Sequence, residues 1–187
     1  MWQRLCALLL AGLIPAALAH AQTVERAPAF AVRDTEGKLV TLTDFDERVL
    51  ILEWTHPECE AAQQLYQSGA LPALQQRARD AGAIWLTVFS AARGKDGFQE
   101  SDKVATTQHD HGANSTASLV DETGIMARMY KVTHAPHLII IDIAGRIAWQ
   151  ISGVFSTDVV EEAITTIIAN RTPEPATAAA DGCEIAI

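Results

Sequence analysis

Residues 49–59 read VLILEWTHPEC, and this stretch is the most informative one about the fold class. Its first six residues are apolar apart from one glutamate and lack the 3.6-residue periodicity of a helix, which indicates a buried central strand. The next four residues contain a proline and predict a turn. From Cys59 onward, apolar residues recur at helical spacing as far as Gly69. The stretch therefore predicts a strand, a turn and a helix that begins at the cysteine.

Further apolar runs along the chain complete this pattern. Residues 83–90 and 138–142 predict two more buried strands, and residues 146–152 follow the second of them at hairpin distance. Two helices are predicted between and after the strands, at residues 71–81 and 157–170. The alternation predicts an α/β fold: a mixed central sheet, parallel in its middle, between two layers of helices.

Composition limits the classes of partner. The chain has 187 residues, 49% of them apolar, which suits one domain with a real core. Its formal net charge is −9, and this acidity argues against nucleic acid or an anionic membrane surface as the main partner.

The first 21 residues predict a secretion signal. Arg4 supplies the positive charge, and a short apolar run broken by Pro15 follows it. Small residues favour cleavage after Ala21, which removes one arginine and changes the net charge from −9 to −10. The alternative is a retained membrane anchor, for which the run is short. We therefore expect a periplasmic or secreted protein with no stable membrane insertion after cleavage.

Removal of this segment takes Cys6 with it and leaves Cys59 and Cys183. The start of a helix presents unpaired N–H groups and a partial positive charge, which stabilise a thiolate. Glu58 and Glu60 flank Cys59 and oppose a second anion, so we expect only a modest depression of the pKa of this thiol. The alternative is a cysteine that packs in the core or holds a disulfide.

A proline with histidines on both sides precedes the strongest predicted strand. Pro136 either begins the strand as an ordinary trans residue or follows a cis peptide bond. His134 and His137 also suggest a different kind of site, because one cysteine and two histidines can bind copper or zinc. Both histidines can equally be loop residues.

Taken together, these motifs resemble the thioredoxin-like redoxins, the group that includes the alkyl hydroperoxide reductase/thiol-specific antioxidant proteins and the exported thiol–disulfide oxidoreductases. The similarity covers most of residues 27–170 and the last few residues. It rests on the strand end Glu53-Trp54-Thr55, on Cys59 and on the pair Gly182-Cys183. The resemblance implies that Cys59 is the reactive cysteine and that Pro136 is a cis-proline facing it.

Two positions depart from the patterns of this group. Ala62 stands where a Cys-x-x-Cys motif has its second cysteine, so a local dithiol is absent. His56 stands where a peroxiredoxin-type motif has threonine, which removes the usual hydroxyl that positions peroxide. The resemblance therefore implies a redox fold more firmly than either standard activity.

After residue 170 the sequence becomes rich in alanine and proline, and we interpret residues 171–187 as a flexible tail beyond a domain at 22–170. A flexible segment of this length spans roughly 20 Å, enough to bring Cys183 to Cys59. Cys183 then acts as a resolving cysteine, forms a permanent disulfide, or stays unpaired.

The sequence thus predicts an exported oxidoreductase that reacts through Cys59 with a disulfide or a peroxide and is reset by a thiol reductant. We expect no cofactor. The alternative is a thioredoxin-fold binding module without catalytic activity, either a metal chaperone or a protein with a structural Cys59–Cys183 bond.

Overall fold

The computed structural model describes residues 25–176 and 182–187. The predicted signal segment at residues 1–21, its cleavage site and Cys6 lie outside the described residues. Within the described part of the chain, no helix has the length and apolar character needed to cross a bilayer.

A seven-stranded mixed sheet forms the centre of the molecule. Three parallel strands lie in its middle, and antiparallel strands complete it on both sides. The strands, in chain order, are β1 (Ala31–Asp34), β2 (Leu39–Thr41), β3 (Leu50–Thr55), β4 (Ile84–Ser90), β5 (Ala117–Asp121), β7 (His137–Ile141) and β8 (Ile147–Ser152). Their spatial order is β2-β1-β5-β4-β3-β7-β8. Two short strands, β6 (His134–Ala135) and β9 (Cys183–Glu184), pair separately.

Within the described residues, five helices cover the sheet, and they confirm the predicted architecture. They are α1 (Glu60–Gln67), α2 (Ala70–Asp80), α3 (Ser101–Asp110), α4 (Ile125–Met129) and α5 (Thr157–Ile168), with a 3-10 turn at Leu42–Phe45. The two helices predicted between the strands at 49–54 and 83–90, and the one predicted at the end of the domain, lie within two residues of the bounds of α1, α2 and α5.

Side chains alternate along β3 between two cores, because successive residues of a strand point to opposite faces. Ile51 packs with residues of α1, α2 and α5 on one face. Leu50, Leu52 and Trp54 pack on the other face with α4 and with Ile185 near the end of the chain. Both faces of the central strand are therefore buried, as its continuous apolar sequence indicated.

The described end of the chain corrects one expectation. Residues 182–187 are not a tail outside the domain: β9 pairs antiparallel with β6, and Ile185 is only 4% exposed. Glu174, earlier in the predicted tail, also contacts the domain: its carbonyl accepts a hydrogen bond from Trp149 Nε1 on β8. A two-residue strand and one buried isoleucine leave no periodicity that a sequence pattern can detect.

Candidate functional site

Cys59 lies where the turn after β3 becomes helix α1. Its N–H donates to the His56 carbonyl at 3.1 Å, and its own carbonyl accepts the first helical hydrogen bond, from Gln63 N–H at 2.9 Å. The Gln63 side chain also donates to the Pro57 carbonyl at 2.8 Å, which fixes the turn on the helix. The cysteine is thus the N-cap residue of α1, as predicted, and it is completely buried.

Cys59 is joined to Cys183 by a disulfide bond. The two residues are 124 positions apart in sequence, and their Cα atoms are 5.6 Å apart. The sequence left three states open for these cysteines, and the structure has them paired. A bonded pair fits both a redox-active disulfide and a permanent one.

The loop that contains Pro136 faces this bond. The Ala135–Pro136 peptide is cis, and Cys59 Sγ lies 3.4 Å from the Ala135 carbonyl oxygen. A disulfide sulfur has no proton to donate, so this distance is a contact in the oxidised state. A reduced Cys59 thiol has a carbonyl acceptor at the same place.

The two histidines beside Pro136 have different environments. His134 is exposed, and its Nδ1 lies 2.9 Å from Thr133 Oγ1. His137 is buried and packs edge-on against the Trp54 ring at 6.3 Å between centroids. Burial lowers the pKa of His137 to about 4, against a raising effect of the Gln150 side chain, so its imidazole is neutral at neutral pH.

The sulfur that a metal site would share with these histidines is bonded to Cys183. Across residues 25–176 and 182–187, no three His, Cys, Asp or Glu side chains converge in a group that would hold a metal ion.

The loop between β4 and α3 borders the site on another side. Ala92 N–H donates to the Ala186 carbonyl at 3.4 Å, which ties the loop to the last residues of the chain. Further along, Gly97 lies so close to the buried His56 ring that a Cβ atom there would overlap it. His56 Nδ1 in turn accepts the Glu58 N–H at 3.2 Å. This histidine therefore links the turn before Cys59 to the bordering loop.

A buried carboxyl group lies beneath α1. Glu53, on β3, is inaccessible to solvent and accepts hydrogen bonds from four side chains on α1, α2 and β4: Tyr66, Gln75, Trp85 and Thr87. Burial raises the pKa of the Glu53 carboxyl, and these four donors offset part of that rise. Sequence reasoning placed Glu53 only in a strand end, although a lone carboxylate inside a buried apolar strand is a signal for such a network.

No protein-family model matches the chain, and no curated protein sequence matches it. Solved structures do match. A hypothetical protein from Sinorhizobium meliloti 1021 superposes with a TM-score of 0.77 at 18% sequence identity, covering 87% of this chain and 92% of that one.

Two further solved structures that superpose on this chain have names that state a protein class. A secreted disulfide oxidoreductase of Mycobacterium tuberculosis superposes with a TM-score of 0.58 at 16% identity over 73% of this chain and 94% of that one. An exposed lipoprotein thioredoxin of Streptococcus pneumoniae strain TIGR4 does so with a TM-score of 0.59 at 21% identity, over 74% and 98%. The fold is thioredoxin-like. Identities at this level establish the fold and leave the reaction to be argued from the site.

The thioredoxin-like fold brings three sequence-predicted residues together: Cys59, Cys183 and Pro136 lie at one end of β3 and β7. Ala62, in the first turns of α1, leaves Cys59 without a local partner cysteine, and β9 supplies Cys183 instead. The contribution of β9 to this site follows from long-range pairing, which the sequence pattern did not predict.

Proposed function

We propose that this protein is an exported thiol–disulfide oxidoreductase in which Cys59 and Cys183 alternate between a disulfide and a dithiol. The observation that carries the proposal is the Cys59–Cys183 bond at the start of α1, beside the loop of cis-Pro136. The names of two structural neighbours, a disulfide oxidoreductase and a thioredoxin, agree with it.

The first turn of α1 provides the physical reason for reactivity. When the bond is reduced, the Cys59 thiolate lies at the N-terminus of α1. The first N–H groups of the helix have no intrahelical acceptor, and the partial positive charge at this end stabilises an anion. The thiolate attacks one sulfur of a substrate disulfide and releases the other as a thiolate. Cys183 then attacks Cys59 in the mixed disulfide, which frees the second substrate thiol and restores the Cys59–Cys183 bond.

A thiol reductant of another protein or small molecule must reset the pair, because each cycle oxidises two thiols of this chain. The reaction needs no cofactor. An oxidising compartment suits a protein that keeps a disulfide, and the predicted signal segment would deliver it there. One structural neighbour is described as secreted and another as an exposed lipoprotein, which agrees with export.

Reduction of peroxide is a second candidate function. It is favoured because Cys183 lies close enough to Cys59 to form a disulfide with it after oxidation. Peroxide oxidises a Cys59 thiolate to a sulfenic acid and leaves as water or an alcohol, and Cys183 condenses with the sulfenic acid to give the same disulfide and water. His56 in place of threonine weakens this candidate. A permanent disulfide in a binding module is the remaining alternative.

Three proteins separate these functions: the wild type, Cys59→Ser and Cys183→Ser. We expect the reduced wild type to reduce a model protein disulfide, Cys59→Ser to be inactive, and Cys183→Ser to accumulate a mixed disulfide between Cys59 and the substrate, located by mass spectrometry. Faster turnover of hydrogen peroxide than of the disulfide would favour the peroxidase. Activity retained by Cys59→Ser would refute both.

A further inference from the structure

Residues 182–187 fill the groove beside the disulfide as an extended strand with backbone partners on two sides. On one side β9 pairs with β6, and Ile185 N–H donates to the Thr133 carbonyl at 2.8 Å. On the other side the Ala186 carbonyl accepts the Ala92 N–H. Backbone pairing of this kind can hold any extended chain, because it involves no side chain of the strand.

Side chains of the strand occupy the groove at alternate positions, as the period of a strand requires. Cys183 reaches Cys59, and Ile185 is buried in the core cluster that includes Trp54 and Tyr130. Ile187 lies against Gly124, where a Cβ atom would overlap the isoleucine. Between them, Glu184 points outward and is exposed. The groove thus has an apolar position two residues after the cysteine and another four residues after it.

The position before the cysteine favours a small residue. A Cβ atom on Gly182 would lie 3.0 Å from the Ala135 carbonyl oxygen and 3.1 Å from His134 Cβ, tighter than ordinary van der Waals contact. The backbone therefore approaches β6 so closely that a side chain here would displace its neighbours slightly.

We propose that this groove is the substrate site for an extended protein segment with a small residue before its cysteine and an aliphatic residue two positions after it. The chain's own residues 182–187 have this pattern and occupy the site in the oxidised state. The inference rests on the proposed thiol–disulfide exchange and names its substrate class. A peroxide makes no use of these apolar positions, whereas a peptide substrate does.

The exchange balances without a further oxidant. A substrate thiolate attacks Cys59 Sγ, the Cys59–substrate bond forms, and Cys183 leaves as a thiolate that takes up the proton of the substrate thiol. The freed strand yields the groove to the substrate. A second substrate thiol then attacks the substrate sulfur of the mixed disulfide, and Cys59 leaves as a thiol. The substrate loses two electrons and two protons to the protein pair, and the reverse sequence reduces a substrate disulfide.

The test uses the full chain with Cys183→Ser, so that its own strand competes equally with every probe and cannot bond to Cys59. The probe is a peptide of residues 180–187 with an amidated end and a thiol activated as the mixed disulfide with 2-nitro-5-thiobenzoate. A second peptide carries Ile185→Asp, and a third carries Glu184→Gln as the matched control at an exposed position. Activated glutathione is the non-peptide probe. Release of the coloured thiolate gives the rate, and mass spectrometry locates the adduct at Cys59.

We expect the native peptide to react with Cys59 at least about ten-fold faster than the Ile185→Asp peptide, because the aspartate cannot be buried at the apolar position. The Glu184→Gln peptide should react within about two-fold of the native one, since this side chain faces solvent and contributes little. Equal rates for all peptides and for activated glutathione would refute the proposal that this groove selects peptide substrates, and would leave the proposed function intact. No reaction with any probe, while iodoacetamide alkylates Cys59 in the same sample, would overturn the proposed function and this inference with it.

Discussion

At the scale of single residues, Gly97 is a tightly packed position near Cys59, because a Cβ atom there would overlap the His56 ring. The ring lies three residues before Cys59 and has no room for a side chain at the glycine. Gly97 also has a positive φ of 74°, a conformation that suits glycine. The bordering loop is therefore held against the turn that positions Cys59.

We predict that Gly97→Ala destabilises the protein by about 1–3 kcal/mol more than Gly94→Ala, because an added methyl group must displace the histidine ring. Gly94 is the matched control: it lies in the same loop with φ 79° and has open space around it. Urea denaturation of the two variants measures the difference. Equal losses of stability would mean that backbone strain alone accounts for both.

His137 predicts a dependence of stability on pH. Its pKa is lowered to about 4 in the folded protein because burial disfavours the imidazolium. As the pH falls below about 6.5, the unfolded chain binds a proton that the folded chain refuses until about pH 4, so stability is lost across this window. The full loss amounts to about 3 kcal/mol.

The measurement compares unfolding free energies at several pH values for the wild type, His137→Gln and His109→Gln, the last changing a histidine whose side chain is 90% exposed. We expect His137→Gln to flatten the decline between pH 6.5 and 4 and His109→Gln to leave it nearly unchanged. A decline of the same size in His137→Gln would show that other groups cause it.

Local sequence patterns suffice for some of these residues and fail for others. Cys59 and Pro136 are conspicuous because each occurs at a boundary between elements that the sequence itself marks. The contact of His56 with Gly97 and the four donors around Glu53 come from residues far apart in sequence, so no local pattern contains them.

At the scale of elements, strand β9 determines whether Cys183 reaches Cys59. Its pairing with β6 involves two residues, and the burial of Ile185 adds apolar contacts beyond them. The strands of the central sheet were predictable because long apolar runs mark them. Strand β9 was not predictable, because its pairing partner β6 lies about 50 positions earlier and β9 itself is only two residues long.

We predict that Ile185→Asp makes the Cys59–Cys183 bond easier to reduce. Loss of roughly 1.5–3 kcal/mol of burial shifts the equilibrium with glutathione by at least about ten-fold towards the dithiol. Ile143→Asp is the control, because Ile143 is 53% exposed and lies away from the described β9 contacts. Thiol quantification in glutathione buffers gives both equilibria. The same equilibrium in both variants would mean that seating of β9 does not stabilise the bond.

At the scale of the whole molecule, two cores on opposite faces of the sheet hold the fold together. Of the described residues 182–187, Ile185 and Ile187 pack in one of these cores, the one that includes Trp54. This layered architecture was predictable, since strands buried on both faces require cover on both sides. The domain should therefore outlast the release of residues 182–187.

We predict that Cys183→Ser folds with the same secondary structure as the wild type and unfolds cooperatively. Its free energy of unfolding should fall by no more than about 5 kcal/mol, the value that the chain-entropy model gives for a loop of this length. Circular dichroism and urea denaturation measure both quantities. A Cys183→Ser protein without stable structure would mark the bond as an obligatory staple rather than half of a redox cycle.

The reduction potential of the Cys59–Cys183 bond distinguishes a redox-active disulfide from a structural one. It is measured by equilibrating the wild type in thiol–disulfide buffers, trapping free thiols by alkylation and quantifying the two cysteines by mass spectrometry. We predict a reversible transition at a potential between about −120 and −270 mV, the range of thiol–disulfide oxidoreductases. A bond that stays intact to potentials below about −300 mV, as structural disulfides do, would contradict it.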